Sequence, residues 1–134
     1  MSNFAVSQLE QLLFQELNNL LLQNPPLELH KELYQIALNH ANQFLDRKVQ
    51  TLKDGSKERK KNFPRSIRYA EICFVTLRPL ETDNAHLVET SKKLCSTINR
   101  RYLNAFKPGM NSIGPVLIQM KSKKIVTVIL LAFF

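Results

Sequence analysis

The last ten residues, Ile125 to Phe134, carry no charge, and Thr127 is their one polar side chain. A membrane span needs roughly 20 such residues, so this run belongs inside protein. Its alternation of apolar and polar positions is weak, which predicts a strand buried on both faces. Ile113 to Met120 has the same character, and Lys121-Ser122-Lys123-Lys124 between the two reads as a turn. A strand pair of this kind needs cover above and below.

Cover is available in helical form. Val6, Leu9, Leu12, Leu13, Leu17, Leu20 and Leu21 recur at helical spacing, with Ser7 and Glu10 placed as a capping box. Pro25-Pro26 ends this helix, and a second is expected from about Leu27 to Leu45, with Leu29, Leu33, Ile36, Ala37, Ala41 and Phe44 on one face. His40 shares that face and reads as a packed core residue. Ile67 to Leu77 reads as a strand closed by Pro79. Asn84 to about Asn99 returns to helical spacing and continues loosely to Phe106, where Pro108-Gly109 breaks it. The order helix, helix, loop, strand, helix, strand, strand predicts an α+β fold, a three-layer α–β–α sandwich around a small, mainly antiparallel sheet. The 134 residues suffice for a single domain, 1–134, with a core that needs no disulfide. Cys73 and Cys95 lie in apolar patterns and read as buried free thiols, with one internal bridge as the alternative.

The segment between Asp46 and Ser66 has no periodicity, reads as a long loop with room for a short helical turn, and holds most of the charge. From Asp46 to Arg68 there are nine Lys/Arg against three Asp/Glu, a net +6 out of +8 for the whole chain. Lys57, Arg59, Lys60, Lys61 and Arg65 are the candidate anion-binding residues. Phosphates, anionic lipid head groups and sulfated polysaccharide would all suit them. Only Phe63 and Tyr69 interleave, so stacking on single-stranded nucleic acid is poorly supported and no specific nucleic-acid partner is expected.

Three further stretches stand out. They are Gln50-Thr51-Leu52-Lys53-Asp54-Gly55-Ser56, Ala70-Glu71-Ile72-Cys73 and Ser96-Thr97-Ile98-Asn99-Arg100. With Ala37-Leu38-Asn39-His40-Ala41 before them and Ile113-Gly114-Pro115-Val116 after, their order and spacing resemble the signature segments of the CAP superfamily (cysteine-rich secretory, antigen 5 and pathogenesis-related proteins), in its bacterial form. The family's corresponding patterns are Ala-x-x-His-Ala, His-Thr-x-x-Asp-Gly-Ser, Gly-Glu-Asn-Ile, Ser-Pro-x-His-Arg and Ile-Gly-Val-Gly. The resemblance implies a cleft in which two histidines and one or two acids can hold a divalent metal. The matching positions are Gln50, Glu71 and Asn99, so both imidazoles are replaced by amides. Neither amide can act as a general base near neutral pH, and an amide oxygen is a poor zinc ligand. The expectation is a degenerate cleft of Gln50, Glu71, Asn99 and Arg100, with no metal, no cofactor and no catalytic residue. Arg100 is the partner that family geometry suggests for the Glu71 carboxylate.

His30, His40 and His86 lack the spacing of a helical metal site. With Gly55, Gly109 and Gly114 as the only glycines, no phosphate-binding loop can be written. Met1-Ser2-Asn3-Phe4 leads directly into an amphipathic stretch, so no leader is visible. That is expected of a cytoplasmic protein or of a mature chain whose leader has been removed. The resemblance implies an extracellular or outer-surface setting, surface lipoproteins included. The function expected is a monomeric, non-enzymatic binding module for an anionic host macromolecule or lipid. The alternatives are a carrier of a sterol or other hydrophobic ligand, and a divergent hydrolase dependent on Glu71.

Overall fold

A computed structural model describes residues 3–106 and 109–134, with side chains from Ser7 onward. Pro108, expected to break the third long helix, and the side chain of Val6 lie outside the described residues. The elements in chain order are α1 (Asn3–Leu21), β1 (Glu28–Leu29), α2 (Lys31–Leu45), α3 (Ser56–Lys60), β2 (Arg68–Val75), α4 (Leu87–Tyr102) with a 3₁₀ turn at Leu103–Ala105, β3 (Ser112–Gln119) and β4 (Ile125–Phe133). The four strands form one sheet in the order β1-β3-β4-β2, antiparallel except for the two-residue β1, which pairs parallel to β3. The fold is the expected mixture of helices with a small, mostly antiparallel sheet.

The apolar run at the end of the chain is the central strand. Every residue of β4 from Ile125 to Ala132 is buried, because both of its faces are covered and both of its edges are paired. Period two divides its side chains between two cores. Ile125, Ile129 and Leu131 join Ile72, Phe74, Ile113 and Leu117 in packing against Leu9, Leu13 and Leu17 of α1 and Leu94 and Ile98 of α4. Val126, Val128, Leu130 and Ala132 join Cys73 and Val116 against Leu33, Ala37 and Ala41 of α2. Each fully buried Leu or Ile contributes about 1.5–3 kcal/mol, so the two helical layers depend on one shared strand. Cys73 and Cys95 fall in opposite cores and are both free.

One glycine is required for the close approach of α2 to the sheet. A Cβ at Gly114 would lie 2.3 Å from the Tyr34 amide nitrogen and 2.4 Å from the Leu33 carbonyl carbon. No side chain fits there without parting helix from strand.

Several local expectations are corrected. The Ser7–Glu10 capping box does not form: α1 begins at Asn3, and Glu10 is a buried interior position. Its carboxylate accepts the Leu117 N–H at 2.9 Å and the Tyr34 hydroxyl at 2.8 Å. Leu29 is exposed in β1 instead of lying on the second helix, which starts at Lys31 after His30 caps it by accepting the Leu33 N–H. The short helical turn for which the basic loop leaves room is α3.

Candidate functional site

The most heavily bonded polar cluster gathers on the α2 side of the sheet. Period two turns Glu71 to that side with Tyr69 and Cys73, and it is met by Arg59 from α3. The guanidinium grips the carboxylate in a fork: Nε donates to Oε2 at 2.8 Å and Nη2 to Oε1 at 2.6 Å. The two side chains are 10% and 8% exposed, so this is an interior ion pair. The Tyr69 hydroxyl also donates to Oε2. The remaining arm of Arg59, Nη1, donates to the Asp54 carbonyl at 2.5 Å and to His40 Nδ1 at 3.0 Å. The other ring nitrogen of His40, Nε2, donates to the Leu52 carbonyl. That pattern fixes the neutral tautomer with its proton on Nε2.

The Thr51–Ser56 turn delivers these carbonyls. Asp54 accepts the Thr51 N–H at 3.0 Å and the Thr51 hydroxyl at 2.8 Å, closing a loop that aims the Leu52 and Asp54 carbonyls inward. Gly55 follows at φ +81°, in the left-handed region that glycine enters without strain. A Cβ there would also come 3.0 Å from Arg59 Nη1. The Thr-x-x-Asp-Gly pattern is thus explained by backbone placement alone.

Electrostatics follow the bonding. Burial opposes the charge on Arg59, but its bonds to the Glu71 carboxylate outweigh that and hold it more firmly protonated than usual. Burial and the adjoining carboxylate push the Tyr69 hydroxyl well above the ordinary phenol range. Burial lowers the pKa of His40, and the neighbouring guanidinium adds to that, against the bond to Leu52 and the carboxylates of Glu71 and Asp54. Burial, reinforced by Glu71, pushes the Cys73 thiol up to about 12, so it is not a nucleophile at neutral pH. Both oxygens of Glu71 are occupied and His40 has both nitrogens engaged. The arrangement holds a loop onto a strand; it presents no free base.

The residues expected to line one cleft do not meet. Asn99 and Arg100 lie exposed on α4, in the layer on the opposite side of the sheet from Glu71. Gln50 is exposed beside a shallow hollow with Phe44, Leu45, Arg47, Val49 and Met120. The partner of Glu71 is Arg59 instead of Arg100. This also removes Arg59 from the anion-binding set, since its guanidinium is spent inside the protein. Lys57, Lys60, Lys61 and Arg65 are exposed and pair with no carboxylate among the described residues. Lys57, Lys60 and Lys61 border a hollow floored by Phe63 and Pro64. His30 stacks on Phe134, and His86 pairs with Asp83 at the surface. Among the described residues, no group of three or more His, Cys, Asp or Glu is placed to hold a metal ion.

Sequence reasoning set His40 in the core but missed its bond to Arg59. The usable signal was chemical. Among the five cations from Lys57 to Arg65, Arg59 is one of two whose planar fork matches a carboxylate, and Gly55 four residues earlier lets the chain turn back over β2.

No family model matches this chain, and no curated protein matches it. Among solved structures, it is similar to an outer surface protein from Borrelia burgdorferi, with a TM-score of 0.63 at 16% identity over 99% of this chain and 95% of that one. At that identity the likeness concerns the fold, which is one found in a bacterial outer surface protein. No helix among the described residues is long and apolar enough to cross a membrane.

Proposed function

We propose that this chain is a non-enzymatic interaction module of CAP type, displayed at a bacterial surface, whose basic α3 segment contacts a sulfated polysaccharide. The observation that carries the reading is a division of labour within one stretch of chain. Arg59 and Glu71, the groups with the strongest chemistry, neutralise each other in the interior. The cations on either side of Arg59 are exposed and form no ion pair among the described residues, around the Phe63–Pro64 floor. Clustered, uncompensated charge of this kind attracts polyanions at long range. The surface setting draws support from the shape shared with an outer surface protein, and the CAP reading from the order and spacing of the five motifs alone, since the positions matched to that family's cleft do not meet.

The test is titration with heparin of the protein and of a Lys57→Ala/Lys60→Ala/Lys61→Ala variant in which Arg59 is kept. All three lysines are exposed, so the variant folds as the parent does. Binding should weaken tenfold or more and lose much of its salt dependence. Equal affinity of the two proteins for heparin would refute the assignment. Binding to anionic vesicles but not to heparin would move the partner from glycan to lipid.

A further inference from the structure

We propose that the outer edge of β2 is a docking site for an acidic, extended peptide segment of a partner protein, which joins the sheet as a fifth strand. This surface is separate from the lysine cluster, and the inference goes beyond the glycan reading.

The Thr76 N–H donates to the Ile125 carbonyl, and Arg68 to Val75 pair with Phe133 to Val126 in unbroken register. By antiparallel alternation the even residues of β2 bond to β4, and Tyr69, Glu71, Cys73 and Val75 turn their N–H and C=O groups outward. No described residue partners those outward groups. The opposite edge of the sheet is closed. There β1 takes the start of β3, Pro115 has no N–H to offer, and the Leu117 N–H is held by Glu10. One edge is shut by specific devices while the other, eight residues long, is left open.

The surroundings of the open edge describe the occupant. Ile67 and Leu77, at its two ends, are 70% and 85% exposed, among the most exposed large apolar side chains described. Beside Phe74–Arg78 lies a groove of about 210 Å³, floored by Phe74, Leu80 and Leu94 and bordered by Arg78, Lys93, Arg100 and Arg101. Lys93 pairs with Glu89 at 3.1 Å and Arg101 lies over the Tyr102 ring. Arg78 and Arg100 form no ion pair among the described residues. An added strand would gain main-chain bonds from Tyr69 to Val75, place alternate apolar side chains over the groove and set carboxylates against the arginines. A second copy of this chain pairing through β2 would instead bring two basic rims together, which charge opposes.

The probe is an end-capped (Val-Glu)₄ peptide, with (Val-Lys)₄ as its control. The acidic peptide should bind at least tenfold tighter and shift the amide resonances of Tyr69, Glu71, Cys73 and Val75. Val75→Pro removes an outward N–H that the fold does not use and should weaken binding tenfold or more. Arg100→Glu/Arg101→Glu leaves the backbone untouched and should reverse the preference between the peptides. The triple lysine variant should bind (Val-Glu)₄ as the parent does, which separates this site from the glycan surface. Equal binding of both peptides, or undiminished binding by Val75→Pro, would overturn the proposal. So would a dimer in solution that Val75→Pro dissolves, since the edge would then be occupied by a second copy.

Discussion

Arg59 shows how much depends on where a charge ends up. In sequence it stands beside Lys57, Lys60 and Lys61 and is indistinguishable from them by charge. In the structure it is buried, with a carboxylate, a carbonyl and an imidazole around its fork. Removing one partner of a buried ion pair strands the other, which costs about 3–5 kcal/mol. Arg59→Met should therefore lower unfolding free energy by about that much in urea titration, and Arg59→Met/Glu71→Leu should regain part of the loss. If the single variant unfolds at the parent's midpoint, the pair is not what fastens the loop. His40 was legible in the sequence, because it shares a helical face with Ala37 and Ala41. The direction of Glu71 was not, since the resemblance sets it against Arg100 and its carboxylate points to the side of the sheet away from α4. Arg59 was not, because pairing across a loop of irregular chain leaves no periodic trace. For Asn99 and Arg100 the motif was legible and the neighbourhood was not, since only tertiary packing decides that α4 lies across the sheet from Glu71.

At the scale of elements, the two edges of the sheet are treated differently, and Glu10 is the most specific device involved. It reaches from α1 around the rim of β3 to the Leu117 N–H, and Tyr34 reaches over from α2 to bond it. One carboxylate thereby ties both helical layers to a strand edge. Burial raises its pKa, against the bonds from Leu117 and Tyr34, so the folded chain holds this proton more tightly than the unfolded one, and some stability is lost as pH rises from the ordinary carboxylate range through the raised value. Glu10→Gln keeps an amide oxygen for Leu117 without a buried charge and should change stability by less than about 1 kcal/mol. Glu10→Leu leaves the Leu117 N–H and the Tyr34 hydroxyl unpaired and should cost about 1–3 kcal/mol in thermal or urea unfolding. Equal effects of the two substitutions would mean the carboxylate bridges nothing. The helix periodicity of α1 was plain in the sequence, yet Glu10 read there as a capping residue. Capping is a local pattern, whereas the bond it makes joins positions 107 residues apart.

For the whole molecule, the organising fact is one strand shared by two cores. The lack of charge in Ile125–Phe134 made this readable in advance, because a strand with no polar face can only be central. The same architecture sets a hierarchy of opening. β4 is buried and hydrogen-bonded on both sides, so its amides are released only when both helical layers part, in global unfolding. Among the described residues β2 is bonded on one side alone, and its amides should divide by parity. In native-state hydrogen exchange, Val126 to Leu131 should be the slowest group. Ile72 and Phe74, bonded to β4, should exchange slower than Glu71, Cys73 and Val75 by a factor on the order of 100 or more. The contrast comes from bonding and not from burial, since Phe74 and Cys73 are buried alike, at 7% and 6% exposure, in opposite cores. Uniform protection along β2 would mean that its outer edge is already paired in solution, and the molecule would then have a closed sheet in place of an asymmetric one. A rate pattern that alternates along β2 and vanishes along β4 would mark the sheet as finished on one side and ready to be extended on the other.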